Sequence, residues 1–117
     1  MESSFKVHVF TEEIHDKKII FQVLKMLDSC MIFINDKEDL KFNDLTLALQ
    51  SRFEQEPLCT RLIGHTAENT SINLSNKLKK KLNKTVYVSL NIDEDRLLVP
   101  AVEKRLNAEI KSNPDNF

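Results

Sequence analysis

Alternation of apolar and polar residues opens the chain and predicts a β-strand over Phe5–Thr11. Side chains on successive strand residues point to opposite faces of a sheet, so the two sets of residues should separate. One face would be apolar and buried, and it carries Phe5, Val7 and Val9. The other face would be in water, and it carries Lys6 and His8.

Two more strands are predicted directly after it, over Lys18–Leu27 and Cys30–Asn35, with a turn at Asp28-Ser29. Both faces of the Lys18–Leu27 strand are apolar, which is typical of a central strand that is covered on two sides. The three strands are close together along the chain and joined by short connections. We therefore expect an antiparallel β-meander.

Apolar residues at four-residue spacing predict three amphipathic helices in the rest of the chain. Asn43 is a favourable N-cap for the first helix, because its side-chain oxygen can accept a hydrogen bond from a free backbone N–H. The expected buried stripes are Leu45, Leu49 and Phe53; Leu74, Leu78 and Leu82; and Leu98, Val102, Leu106 and Ile110.

Two strands alternate with these helices, over Leu58–Ile63 and Thr85–Ile92. Gly64 is expected to end the first at a positive φ, and the second is expected at a sheet edge, where it could pair with another chain. The predicted class is α+β: an antiparallel meander followed by alternating helices and strands (β-β-β-α-β-α-β-α), with amphipathic helices covering the sheet. Residues 1–117 are expected to form one domain.

Composition narrows the possible functions. The chain has 117 residues, a net charge of −1 and a single glycine, so a glycine-rich phosphate loop is not expected. The near-neutral charge argues against nucleic acid as a partner. No apolar run is long enough for a membrane helix, and the N-terminus does not resemble a signal peptide. We expect a cytoplasmic or nuclear protein whose cysteines stay reduced.

Residues that could carry chemistry are scattered. Cys30 and Cys59 lie on predicted strands, where core packing is the simpler interpretation than nucleophilic catalysis. The three histidines show no spacing that is typical of a metal site; they are His8, His15 and His65. The acidic residues cluster in predicted loops, at positions 12–13, 36–39 and 93–95. We expect no enzyme activity and no catalytic, cofactor-binding or metal-binding residues.

The strongest local charge feature is a lysine cluster on the second predicted helix: Lys77, Lys79, Lys80, Lys81 and Lys84. Nucleic-acid binding is disfavoured, because no arginine or aromatic residue is interleaved to fork onto phosphates or to stack on bases. A solvated helix face is the simpler interpretation. As candidate protein-binding residues, the five lysines would meet an acidic protein surface.

The order of residues along nearly the whole chain resembles the proteasome assembly chaperone 4 family. The agreement is most extensive between residues 43 and 92. The residues that carry it are Asn43-Asp44-Leu45, Ala48, Ser51-Arg52-Phe53, Pro57, Leu62-Ile63-Gly64, Thr66, Thr70-Ser71, Leu74, Leu78, Asn83-Lys84, Val86-Tyr87-Val88-Ser89, Asn91, Val102-Glu103, Arg105, Pro114 and Phe117.

This resemblance implies a non-catalytic chaperone that forms a heterodimer with a related subunit, proteasome assembly chaperone 3. The pair would help α-type subunits to form the ring of the proteasome core particle and would then dissociate. The fifth α-type subunit is the implied neighbour, and the lysine cluster is a candidate surface for it. The resemblance implies no cofactor.

Two alternatives come from other functional classes. One is a small heterodimeric adaptor or scaffold domain of another multisubunit complex. The other is a small hydrolase or thiol enzyme that uses Cys30 or Cys59.

Overall fold

A computed structural model describes residues 5–50, 57–64, 70–92 and 97–117. Six strands and two α-helices lie within these ranges, followed by a short 3-10 turn at Pro114–Asn116. The strands are β1 (Lys6–Ile14), β2 (Lys17–Lys25), β3 (Ser29–Asp36), β4 (Leu45–Gln50), β5 (Pro57–Ile63) and β6 (Thr85–Asn91), and the helices are α1 (Thr70–Leu82) and α2 (Leu98–Ser112). The α+β class and the β1–β3 meander are confirmed.

The six strands form one sheet in the order β1-β2-β3-β6-β4-β5. Strand β6 pairs with β3 in parallel and with β4 in antiparallel orientation. The prediction that the Thr85–Ile92 strand lies at a sheet edge is therefore wrong. The edges are β1 and β5, and β6 is hydrogen-bonded on both sides.

The first predicted helix, over Asn43–Phe53, is also wrong, because Leu45–Gln50 form strand β4. Residues 51–53 lie outside the described residues. The other two predicted helices are confirmed as α1 and α2, so the observed order is β-β-β-β-β-α-β-α.

The core lies between one face of the sheet and the two helices. Helix α1 contributes Leu74 and Leu78, and α2 contributes Leu98, Val102, Leu106 and Ile110. These side chains pack on alternate residues of the inner strands: Ile19, Phe21 and Val23; Cys30, Ile32 and Ile34; Val86, Val88 and Leu90. Both helices lie on the same side of the sheet. The prediction that β2 is covered on both faces is therefore wrong.

A polar cluster fixes the position where α1 begins against β4 and β6. Asp44 accepts hydrogen bonds from the Ser71 hydroxyl at 3.1 Å and from the Leu90 backbone N–H at 3.1 Å. The Thr46 hydroxyl lies 3.0 Å from Ser71 Oγ. Gly64 follows β5 beside this cluster, and its positive φ of 128° is as expected. A Cβ there would lie 3.1 Å from Asp44 Oδ1, so the close approach also favours glycine.

Candidate protein-interaction surface

The sheet face that points away from the helices is largely apolar, and we call it the open face. On β1 the predicted burial is inverted: Val7 and Val9 are 67% and 49% exposed on the open face. His8 and Phe10 point instead toward α2. Neither of the two described helices therefore covers the open face.

One row of cross-strand neighbours crosses all six strands of the open face. Strand register pairs each member with the next: Val7, Leu24, Met31, Tyr87, Leu47 and Thr60. All of these residues except Thr60 have a large apolar or aromatic side chain. A contiguous exposed apolar patch of this kind marks an interaction site in soluble proteins.

A groove of about 540 Å³ lies on the β1–β3 half of the open face. The segment that follows β3 forms one wall, where the Phe42 ring packs against Phe33 at a centroid distance of 5.6 Å. Leu40 is exposed at the rim. The groove is lined mainly by apolar side chains, with Gln22, Asn35 and Lys41 as polar members. Its lining suits an apolar side chain.

A polar network between β1 and α2 explains why the other face of β1 is covered. His8 Nε2 lies 3.2 Å from Glu109 Oε1. Arg105 donates from Nη1 to Glu109 Oε2 and from Nε to Glu12 Oε2, both at 3.0 Å. The Arg105 guanidinium also lies 4.9 Å from the centre of the Phe10 ring. The hydrogen-bonding groups of these side chains are satisfied by one another, so polar residues of β1 can lie on the face covered by α2. The apolar residues of β1 then lie on the open face.

The two cysteines differ in burial. Cys30 is fully buried in the core, and burial raises the pKa of its thiol to about 11 against the smaller opposing effects of Lys84 and Lys25. The thiolate is the nucleophilic form, so this environment disfavours nucleophilic chemistry. Cys59 is half-buried, with its sulfur 3.9 Å from Ser75 Oγ. Both thiols are free.

The remaining candidates for chemistry do not converge within the described residues. His8 joins the network above, His15 lies in the tight turn between β1 and β2, and His65 is outside the described residues. In the described part of the chain, no three histidine, cysteine or acidic side chains come close enough to hold a metal ion. No described helix has the length and apolarity needed to cross a membrane.

The five lysines of the predicted binding cluster have different surroundings. Lys77 forms an ion pair with Glu103 at 3.0 Å, and Lys84 donates to the main-chain oxygen of Phe117. Lys79 is buried, whereas Lys80 and Lys81 are exposed. Their role in binding a protein stays a prediction.

Sequence reasoning missed the open face. The available signal was the apolar character of both faces of β2, which we interpreted as two covering layers. The same pattern is typical of a strand that has one face in the core and the other in an interface with another chain.

Comparisons with known proteins agree on one family. A sequence model of the family described as proteasome assembly chaperone 4 matches residues 18–92. Proteasome assembly chaperone 4 of Mus musculus is 29% identical over 117 residues, covering 99% of this chain and 94% of the relative. The protein of that name from Homo sapiens is 30% identical over 112 residues, covering 95% of this chain and 89% of the relative.

Among solved structures, the fold matches a chain from the crystal structure of a chaperone complex for yeast 20S proteasome assembly. The TM-score is 0.72, and the match covers 94% of this chain and 98% of the yeast chain. At 10% identity it is evidence for the fold alone. Because the family model matches most of the sequence and the relatives match nearly all of it, the chain belongs to the proteasome assembly chaperone 4 family.

Proposed function

We propose that this protein is a non-catalytic chaperone of proteasome assembly that works as a heterodimer with a related small chaperone of the proteasome assembly chaperone 3 type. The chaperone role follows from its family and its named relatives. The observation that carries the pairing is the apolar row that crosses all six strands of the open face. No helix in the described residues covers that row.

Pairing through a sheet face explains the exposed residues better than pairing through a strand edge. Strand β6, which we expected to offer an edge, is enclosed between β3 and β4. Two sheets can instead pack face to face, with their side chains interdigitating in a layer of about 10 Å. A partner with a similar fold would offer such a face, and the groove beside Phe42 would receive one of its apolar side chains.

The pair would then hold α-type subunits during formation of the α-ring of the core particle and dissociate before the particle matures. The fifth α-type subunit is the proposed neighbour. We place this activity in the cytoplasm or the nucleus. It involves no cofactor, nucleic acid or membrane.

The other two hypotheses have weaker support. An adaptor domain of another complex would also need an open face, but the family and the named relatives favour proteasome assembly. A thiol enzyme would need a reactive cysteine, and the raised pKa of Cys30 disfavours that role.

Co-purification from cells tests the proposal, with Val7→Asp as the variant. A carboxylate within the buried interface would be desolvated without a partner, so we expect recovery of the second small chaperone to fall about tenfold or more. Asn73→Asp is the matched control, because Asn73 is exposed on α1 and the substitution adds the same charge. The control should recover the second chaperone and α-type subunits as the wild type does.

Urea unfolding of both variants should give transitions close to that of the wild type, because both substituted side chains are exposed. Undiminished pairing by the Val7→Asp variant would refute the interface. Recovery of a mature enzyme complex by the wild type, without α-type subunits or a second small chaperone, would refute the function.

A further inference from the structure

A cleft of about 660 Å³ lies at the end of the sheet where α1 meets the β2–β3 turn. The last turn of α1 contributes Lys79, and the connection that follows contributes Asn83 and Lys84. The β2–β3 turn contributes Leu27, which is 81% exposed, and Asp28. Leu49 and Thr85 complete the described lining.

Lys79 is the unusual residue of this cleft. It is only 5% exposed, yet its ammonium group forms no hydrogen bond or ion pair with any residue in the described ranges. Its aliphatic stem is packed, and its nitrogen is not among the described side-chain atoms that are both fully buried and without a partner, so the ammonium group reaches the surface of the cleft. Since Lys79 lines the cleft, its ammonium group is available to a ligand there.

Two lysines at the same end of the sheet show how a partly buried ammonium is normally satisfied in this protein. Lys25 donates to the main-chain oxygen of Asp115 at 2.6 Å, and Lys84 donates to that of Phe117 at 2.5 Å. Both acceptors belong to the segment that follows α2. Lys79 has no equivalent acceptor among the described residues.

We propose that this cleft binds an acidic segment of a protein partner, with one carboxylate on Lys79 and a neighbouring apolar side chain on Leu27 and Leu49. Charge complementarity selects the ligand, because the lining holds two lysines and one acidic residue. The carboxylate of Asp28 would repel a second negative charge close by. The site therefore suits a segment in which single acidic residues alternate with apolar ones.

This inference does not depend on the function proposed above, since it names the chemistry of a ligand and not a role in proteasome assembly. It also assigns the predicted binding role of the lysine cluster to one of its five members, Lys79. Lys80 and Lys81 carry the same charge as Lys79, but they are exposed and lie outside the cleft lining. A solvated lysine contributes little to binding one carboxylate.

Fluorescence anisotropy with the purified full-length protein tests the site. The probe is a short fluorescein-labelled peptide in which leucine alternates with glutamate, and its control has glutamine in place of glutamate. We expect Lys79→Met to weaken binding of the acidic peptide by about tenfold, since the hydrogen bond between the ammonium group and the peptide carboxylate is lost. Lys81→Met removes the same charge from an exposed site and should change binding by less than about twofold.

A second variant tests the apolar half of the site without changing any charge. Leu27→Ser should also weaken binding severalfold, and it should leave the fold intact because the side chain is exposed. Urea unfolding of the Lys79→Met variant should show a stability close to that of the wild type, because methionine keeps the packed stem and no ion pair or hydrogen bond with a described residue is lost.

Several results would overturn the proposal. They are equal losses in the Lys79→Met and Lys81→Met variants, equal binding of the glutamine peptide, and no binding of the acidic peptide by the wild type at high micromolar concentration. Tighter binding of a single-stranded oligonucleotide than of the peptide would assign the cleft to a different class of ligand and would also overturn it.

Discussion

His8 and Glu109 determine which face of β1 is covered. Glu109 accepts hydrogen bonds from Arg105 and Asn113 in addition to its contact with His8. Burial acts to raise the pKa of Glu109, but these hydrogen bonds and the charge of Arg105 outweigh it, so the pKa is lowered. A carboxylate whose pKa is lowered by folding stabilises the folded state only while it is ionised.

The first prediction concerns Glu109→Gln. Its ionised side chain contributes stability above the ordinary pKa of 4.5, and that contribution is lost as the pH falls through the lowered pKa of the folded state. At pH 7 we expect the variant to be less stable by about 1–2 kcal/mol. The difference from the wild type should shrink progressively in acid below pH 4.5. Urea unfolding at a series of pH values measures both quantities.

Glu103→Gln is the matched control on the same helix. Glu103 pairs with Lys77, whose side chain is mostly exposed, and ion pairs at the surface contribute little. This variant should lose less than about 0.5 kcal/mol at pH 7. Equal losses in the two variants, or a Glu109→Gln deficit that persists unchanged into acid, would contradict the account of the network.

Strand β4 shows why one element was predicted incorrectly from the sequence. Leu45 and Leu49 are four residues apart, which places them on one face of a helix. Four is also a multiple of two, so the same residues share a face of a strand, together with Leu47. Burial distinguishes the helical period from the strand period. Thr46 and Ala48 are fully buried on the face of β4 opposite the three leucines, which is the alternation of a strand.

The second prediction separates the two faces of β4. Ala48 is fully buried on the helix side of the sheet, between Val86 and Cys59 in the neighbouring strands. Ala48→Leu should overpack the interior and cost about 1–3 kcal/mol in urea unfolding. Leu47→Asp, on the open face, should instead reduce co-purification of the second small chaperone. A reversal of these two effects would mean that the assignment of faces is wrong.

The two helices with a regular four-residue spacing of apolar residues were predictable from the sequence. The stripe of α1 at Leu74 and Leu78 and the stripe of α2 at Leu98 through Ile110 have their expected positions in the core. The burial of β1 was not predictable by this route. Its covered face contains polar residues that are satisfied only by α2, about 100 positions later in the chain, as with His8 and Glu109. Local periodicity contains no information about such a distant partner.

The same limit applies to the interaction surfaces. The lysine cluster was visible as a run of charges, but its division into paired, buried and exposed members depends on Glu103, on the segment that follows α2 and on the packing of α1. The open face was hidden for a related reason. An apolar strand face looks the same in sequence whether its cover is a helix of the same chain or another protein.

At the scale of the whole molecule, β6 lies between two parts of the sheet and is hydrogen-bonded to both. The β1–β3 meander lies on one side of it, and the β4–β5 hairpin lies on the other. Strand β6 also contributes Val86, Val88 and Leu90 to the core. Without it, each part would be a small sheet with one apolar face uncovered, and such pieces are at best marginally stable.

The third prediction is that a truncated chain containing residues 1–82 does not unfold cooperatively in urea, because β6 and α2 are absent. A second truncation, at Asn113, keeps the whole sheet and both helices. It should unfold in one transition at a lower urea concentration, since it loses the buried ring of Phe117. A cooperative transition in the 1–82 chain would show that the two parts fold without β6.

The central position of β6 also determines when during synthesis the open face becomes continuous. A ribosome releases the N-terminal part of a chain first, so the β1–β3 meander and the β4–β5 hairpin emerge before the strand that joins them. Until Tyr87 and its neighbours have left the ribosome, the apolar row of the open face is interrupted in the middle. If the second chaperone binds this row, as proposed above, its capture has to wait until β6 has emerged and joined the two parts of the sheet.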